Sequence, residues 1–374
     1  MTAFKYGLSE LSYQLGCVYA PKPDVIFLVI NSVCNLHCKM CDVGKRDKET
    51  QFYKNMDKNT NMSFGLIVRL VDEVAHYKPT FAIISTEPLL HPQLYDIINY
   101  MKVNRCKVQL TTNGWLLEEH AASIVKAGVD ILYVSIDGSS KVHDEIRGRD
   151  GAHAKALSGI YAIRAEKKKN NSKCPQVFVN VTVSKDNYTT LSETIPSLMP
   201  CIPEDELIDF DFTEFVTHVT FSHLNFITQE MADSHNVQYG HICTATKSSA
   251  TTKEISKIDC NVLWKQIQKI KGGLGEYVSF VPDLKTEDEL FKYYNNPNEK
   301  INRHGECKVP WRAAQIFADG SLGISTRCYN LDLGNINEEP FLKLWNGEKM
   351  RKIRREIVDA HGAFPACYRC CGVF

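Results

Sequence analysis

Short apolar, β-branched runs alternate with helical patterns between residues 24 and 215, and this alternation constrains the fold more than any other feature of the chain. The runs are Asp24 to Asn31 (DVIFLVIN), Phe81 to Thr86 (FAIIST), Lys107 to Thr112 (KVQLTT), Ile131 to Asp137 (ILYVSID), Val177 to Ser184 (VFVNVTVS) and Ile208 to Phe215 (IDFDFTEF). Helices are expected over Ser63 to His76 with Ser63 as N-cap, Leu94 to Val103, Leu117 to Ala127 closed by Gly128, Ala152 to Lys169, and Thr189 to Met199. Strand and helix in regular succession require crossover connections and hence a parallel sheet. Six units with polar residues at the strand C-termini fit an α/β partial (β/α)6 TIM-like barrel with its chemistry at the mouth. An open doubly wound sheet shares the periodicity.

The remaining chain divides by composition. Residues 1–24 read as an N-terminal extension and 25–230 as the barrel. Residues 231–300 form a variable loop and linker region that includes a helix over Val262 to Lys271. Its polar stretch 244–257 (TATKSSATTKEISK) lies within a mobile surface loop or lid expected over about residues 236–257, and the lysine- and asparagine-rich residues 39–61 read the same way. Residues 301–374 make a small cysteine-rich module.

Lysine plus arginine and aspartate plus glutamate both number 44, so no chain-level footprint for nucleic acid exists. Neither a signal peptide nor an apolar run of membrane-spanning length is present. A cytoplasmic protein is expected. In that reducing compartment 14 cysteines argue for metal ligation rather than a disulfide framework.

Cys34, Cys38 and Cys41 form C-x3-C-x2-C directly after the first strand. Three closely spaced thiolates can hold three corners of a [4Fe–4S] cube and leave the fourth iron open. Zinc, which favours four closed ligands, is the alternative. The motif resembles that of the radical S-adenosylmethionine superfamily, in which the open iron is chelated by S-adenosylmethionine and reductive cleavage yields a 5′-deoxyadenosyl radical that abstracts a substrate hydrogen.

The resemblance continues at successive strand ends. Ser85, Thr86, Glu87 and Pro88 stand where the family has Gly-Gly-Glu-Pro, which implies Glu87, with Ser85 and Thr86, as acceptors for the methionine ammonium. Thr112, Asn113 and Gly114 resemble the family's Thr-Asn-Gly turn. Ser135 to Gly138 (SIDG) resemble its ribose-contacting segment, which implies Ser135 and Asp137 as ribose contacts. Arg147 is implied as the partner of the methionine carboxylate, and Met40 occupies the position of an aromatic residue packed by the adenine.

Cys307, Gly323, Cys328, Cys367 and Cys370 resemble the auxiliary-cluster module called SPASM, or its shorter relative twitch, with a β-hairpin between the first two cysteines. The resemblance implies one auxiliary [4Fe–4S] cluster on Cys307, Cys328, Cys367 and Cys370, with Cys371 as spare; a zinc ribbon is the competing reading. Cys17, Cys106, Cys174, Cys201, Cys243 and Cys260 have no ligand spacing.

Peptide-modifying relatives often carry a leader-binding domain, and only about 33 residues precede Cys34. The expected substrate is therefore a small polar or sugar-like metabolite, dehydrogenated or epimerised by a radical oxidoreductase. An external one-electron donor such as flavodoxin or ferredoxin is implied, with no nucleic acid and no membrane. A peptide maturase and a non-catalytic iron–sulfur or zinc protein are the alternatives.

Overall fold

The computed structural model describes residues 2–58, 60–84, 86–199, 212–301, 306–324 and 329–371. Nine strands form one sheet: β1 (Val25–Leu28), β2 (Thr80–Ile83), β3 (Lys107–Thr112), β4 (Ile131–Ser135), β5 (Gln176–Val183), β6 (His218–His223), β7 (Val278–Val281), β8 (Ala313–Ile316) and β9 (Leu322–Gly323). Their order is β7-β6-β5-β4-β3-β2-β1-β8-β9. Every neighbouring pair is parallel except the β8–β9 hairpin. Sequential parallel strands give the partial α/β barrel, and β8 carries the sheet past β1 into the C-terminal module.

Period-two burial separates two faces. Val177, Val179, Val181 and Val183 of β5 are buried in the core shared with Ile124 and Ile160 of the covering helices. Phe178, Asn180 and Thr182 point the other way and are half-buried. In register across the strands, Ser135, Asn180, Thr220 and Ser279 form a polar row on that second face.

Three expectations are corrected. The strand proposed at 208–215 falls partly outside the described residues, and Phe212–Phe215 is a helical turn. The sixth strand is His218–His223, where Val219 and Phe221 alternate with polar residues and continue the buried face of Val179 and Val181. The helix proposed over Thr189 to Met199 is two 3-10 turns, Leu191–Glu193 and Pro196–Leu198, because Pro196 has no amide hydrogen to continue a helix. The stretch 236–257 is not a solvated surface loop: Cys243, Ala245, Ser248 and Ser249 are buried, between helices Gln229–Tyr239 and Thr252–Ile255. A seventh parallel strand, β7, joins the sheet beside β6.

The N-terminal extension packs on the C-terminal module. Tyr13 meets Trp311 edge-on with centroids 5.0 Å apart, and Trp311 Nε1 donates to Cys17 O at 2.8 Å. The buried Arg354 guanidinium donates to the carbonyls of Pro310, Val18 and Trp345 at 2.8, 3.0 and 2.7 Å. Among the described residues no helix is long and apolar enough to cross a membrane.

Candidate functional site

The loop leaving β1 carries Cys34, Cys38 and Cys41 as free thiols, Cys38 buried and the others half-buried. Backbone bonds from His37 N to Arg147 O (3.2 Å) and Lys39 N to Ile146 O (2.8 Å) clamp it against the segment after β4. Gly148, at φ +67°, permits this approach, since a Cβ there would lie 2.7 Å from His37 O. The three sulfurs share one apolar cluster with Leu36, Met40, Ile146 and Leu224. Asn113 Nδ2 lies 3.8 Å from Cys34 Sγ, and Arg147 Nη1 lies 3.8 Å from Cys38 Sγ.

Burial pushes the Cys34 thiol up to about 12, so it ionises only against a bound cation. Burial also raises Cys38, while Arg147 pulls it back. A partly buried nest of free thiols with N–H donors near two of the sulfurs fits a thiolate-held iron–sulfur cluster.

Glu87 follows β2 and is fully buried. Its Oε1 accepts from Thr112 Oγ1 at 2.8 Å and Leu89 N at 3.1 Å, and its Oε2 accepts from Asn113 N at 2.8 Å. Burial lifts the carboxyl to about 7 against the opposing pull of those bonds. Oε2 keeps capacity for one further donor, such as an ammonium. Thr86 Oγ1 is engaged with Asn31 Oδ1 at 3.0 Å and contacts Val33 O.

Asn113 joins this group to the cysteine loop: Nδ2 donates to Asn35 Oδ1 at 2.8 Å, while Oδ1 accepts from Trp115 N at 2.9 Å. The turn needs glycine next, because Gly114 sits at φ +83° and a Cβ would lie 2.6 Å from Ala156 Cβ. Glu87, Thr86 and Asn113 are therefore brought together beside the triad. Ser85 and Cys328 lie outside the described residues.

Asp137 is engaged within the protein. Its Oδ2 is 2.6 Å from Arg147 Nε, its Oδ1 accepts from Thr182 N at 2.8 Å, and the side chain is fully buried. Arg147 meets Asp137 through Nε and Cys38 through Nη1. Ser135 stands half-buried in the polar row.

Met40 is buried beside the stretch 244–258, which crosses the strand ends as a strap. Asp42, next to the third cysteine, fastens the strap: Oδ2 accepts from Ser248 Oγ at 2.7 Å and Oδ1 from Ser249 N at 2.8 Å. Lys45 Nζ donates to Ser249 O at 2.8 Å. Sequence reasoning missed Asp42, and only its place after Cys41 marks it.

In the C-terminal module Cys307 and Cys367 are buried, Cys370 is half-buried and Cys371 exposed. Burial drives the Cys307 thiol upward, with Cys367 next in effect. Arg369 is buried and donates to the carbonyls of Tyr293, Lys292 and Asn296 at 2.6, 2.9 and 2.7 Å, which anchors the Cys367 to Cys371 turn. Cys243, which has no ligand spacing, is buried within electrostatic reach of Cys367. Tyr329 Oη lies 2.6 Å from Cys367 Sγ.

A cavity of about 420 Å³ opens beside Phe317 and Tyr329. One wall is Phe317, a member of the apolar cluster with Val29, Phe52 and Met56 against which Cys41 packs. Tyr329 forms another, and the helix Gln51–Met56 contributes Gln51, Lys54 and Asn55.

A family model described as the Radical SAM superfamily matches residues 28–194, and one described as an iron-sulfur cluster-binding domain, SPASM, matches residues 307–371. The tungsten-containing aldehyde ferredoxin oxidoreductase cofactor-modifying protein of Pyrococcus furiosus is 22% identical, over 92% of this chain and 86% of its own. The Fe-coproporphyrin III synthase of Methanosarcina barkeri is 23% identical, over 98% and 86%. In fold, the chain is similar to Streptococcus suis SuiB bound to S-adenosylmethionine, with TM-score 0.56 and 13% identity over 90% of this chain and 68% of that one.

Proposed function

Since the chain belongs to the radical S-adenosylmethionine superfamily and ends in its SPASM iron–sulfur domain, we propose that it oxidises a small organic anion held in the cavity beside Phe317 and Tyr329. Its cofactors are [4Fe–4S] clusters and S-adenosylmethionine. When bound, they supply a carbon-centred radical for hydrogen abstraction at the N-terminal set and an electron acceptor at the C-terminal one. In this reading Glu87 accepts the methionine ammonium at Oε2, Asn113 and Arg147 orient the thiolates, and the strap excludes water from the Met40 side. An external one-electron donor, such as flavodoxin or ferredoxin, completes the requirement.

The observation that carries the proposal is the placement of the cavity, with Phe317 in the cluster that packs Cys41 and Tyr329 on Cys367. Its volume suits a small metabolite. Lys54 is exposed at its rim, and among the described residues no acidic side chain pairs with it, whereas Lys58 is 3.2 Å from Asp319. A free ammonium at the rim favours a substrate with carboxylate or phosphate groups. The relatives matched along their length are named for modifying a cofactor and for making Fe-coproporphyrin III, which supports an acidic cofactor precursor over a sugar-like metabolite.

The test is turnover by reduced, reconstituted protein offered carboxylated cofactor precursors, sugars and peptides in parallel. Oxidation of an acidic small molecule, with KM raised about tenfold by Lys54→Ala, supports the proposal. Turnover of a peptide alone would overturn it.

A further inference from the structure

Tyr329 is buried with its ring fixed on two sides. His235 stacks on it with centroids 4.8 Å apart and planes 14° from parallel, and Phe364 meets it edge-on at 5.7 Å. His235 is itself fully buried and is held by Nε2, 2.9 Å from Cys243 O. The next residue, Asn330, is tied through its N–H to Thr244 O at 3.3 Å. So fixed, the ring delivers its hydroxyl to Cys367 Sγ at 2.6 Å. A sulfur bound to iron carries no proton, so the hydroxyl is the donor in that contact.

We propose that Tyr329 is a positioning residue that raises the reduction potential of the C-terminal iron–sulfur cluster through the hydrogen bond its hydroxyl donates to Cys367. The inference rests on the reading of Cys367 as a cluster ligand. Its physical basis is the sign of the charge change: reduction adds an electron to the cluster, and part of that charge falls on the ligating sulfurs. A hydroxyl hydrogen aimed at one of them stabilises the more negative state and makes the cluster easier to reduce. The effect is strong here because the contact is excluded from water, which would otherwise supply and randomise such donors. The same ring lines the cavity of about 420 Å³, so the residue that tunes the electron acceptor also faces the proposed substrate.

The test is an EPR-monitored redox titration of the full chain, reconstituted anaerobically, in the native sequence and in Tyr329→Phe and Cys367→Ala. The expected result is that Y329F keeps the native iron content, its C-terminal cluster shifts to a more negative midpoint, and the N-terminal cluster, an internal control, stays unchanged. Incorporation of 3,5-difluorotyrosine at position 329 keeps the ring and strengthens the donor, so it moves the midpoint in the positive direction; this arm decides the matter if Y329F loses iron. An unchanged midpoint in whichever of these two forms retains the cluster, with the C-terminal signal lost in C367A, overturns the proposal and leaves the ligand reading standing. A C-terminal signal that survives in C367A overturns both.

Discussion

Arg147 Nε lies 2.6 Å from Asp137 Oδ2, with both side chains buried at the end of the fourth strand. The same guanidinium reaches Cys38 Sγ, and the Arg147 carbonyl accepts from His37 N. The pair therefore links the sheet to the cysteine loop. Removing one partner leaves the other charge buried without compensation, which is costlier than losing both. Arg147→Met is expected to lower stability by about 3–5 kcal/mol. Adding Asp137→Asn should recover much of that loss. Urea unfolding of the single and double variants measures both effects, and equal losses in the two would contradict the role given to the pair.

Glu87 makes stability and cofactor binding depend on pH in opposite directions. Burial raises its carboxyl from 4.5 to about 7 in the folded protein, so between those values the folded state holds a proton that the unfolded state has released. Its contribution to stability is complete below pH 4.5 and is lost as pH rises through 7. Accepting an ammonium requires the ionised form, so S-adenosylmethionine affinity rises over the same interval. Glu87→Gln is expected to flatten both profiles, measured by unfolding and by calorimetric titration. A native binding profile that stays level between pH 6 and 8 would exclude Glu87 as the acceptor.

Asp42 couples the cysteine loop to the strap through Ser248 and Ser249. Asp42→Ala leaves the Ser248 hydroxyl and the Ser249 N–H without their acceptor, at a cost of about 1–3 kcal/mol each when buried. Hydrogen exchange should quicken at residues 244–251 and remain unchanged in the helix Ala152–Lys169. Protection of the strap at native levels in D42A would show that other contacts hold it.

What the sequence made legible was local in origin. β3 runs from Lys107 to Thr112 as its alternation predicts, and the triad, Glu87 and the Asn113-Gly114 turn follow strands that periodicity could find. Three features escaped because they arise between distant segments. Asp137 reads as a free strand-end carboxylate until folding brings Arg147 against it. Cys243 has no short spacing to another cysteine, yet folding buries it close enough to Cys367 for the two to influence each other electrostatically. The polar composition of residues 244–257 suggests solvent, yet Asp42, Lys45 and Ile227 from distant segments satisfy its two buried serines. The sixth strand was misplaced because IDFDF alternates as well as HVTFSH does, and period alone cannot rank the two.

In the proposed function two cysteine sets hold two clusters, and the N-terminal set generates the radical. Iron content and 5′-deoxyadenosine release, measured together on anaerobically reconstituted and reduced protein, test it most directly. The native protein is expected to hold about eight iron atoms per chain and to release deoxyadenosine. Cys34→Ala, Cys38→Ala or Cys41→Ala should leave about four and abolish release, whereas Cys307→Ala or Cys367→Ala should also leave about four but still permit release. Native protein that holds zinc in place of iron, or triad variants that still release deoxyadenosine, would contradict it.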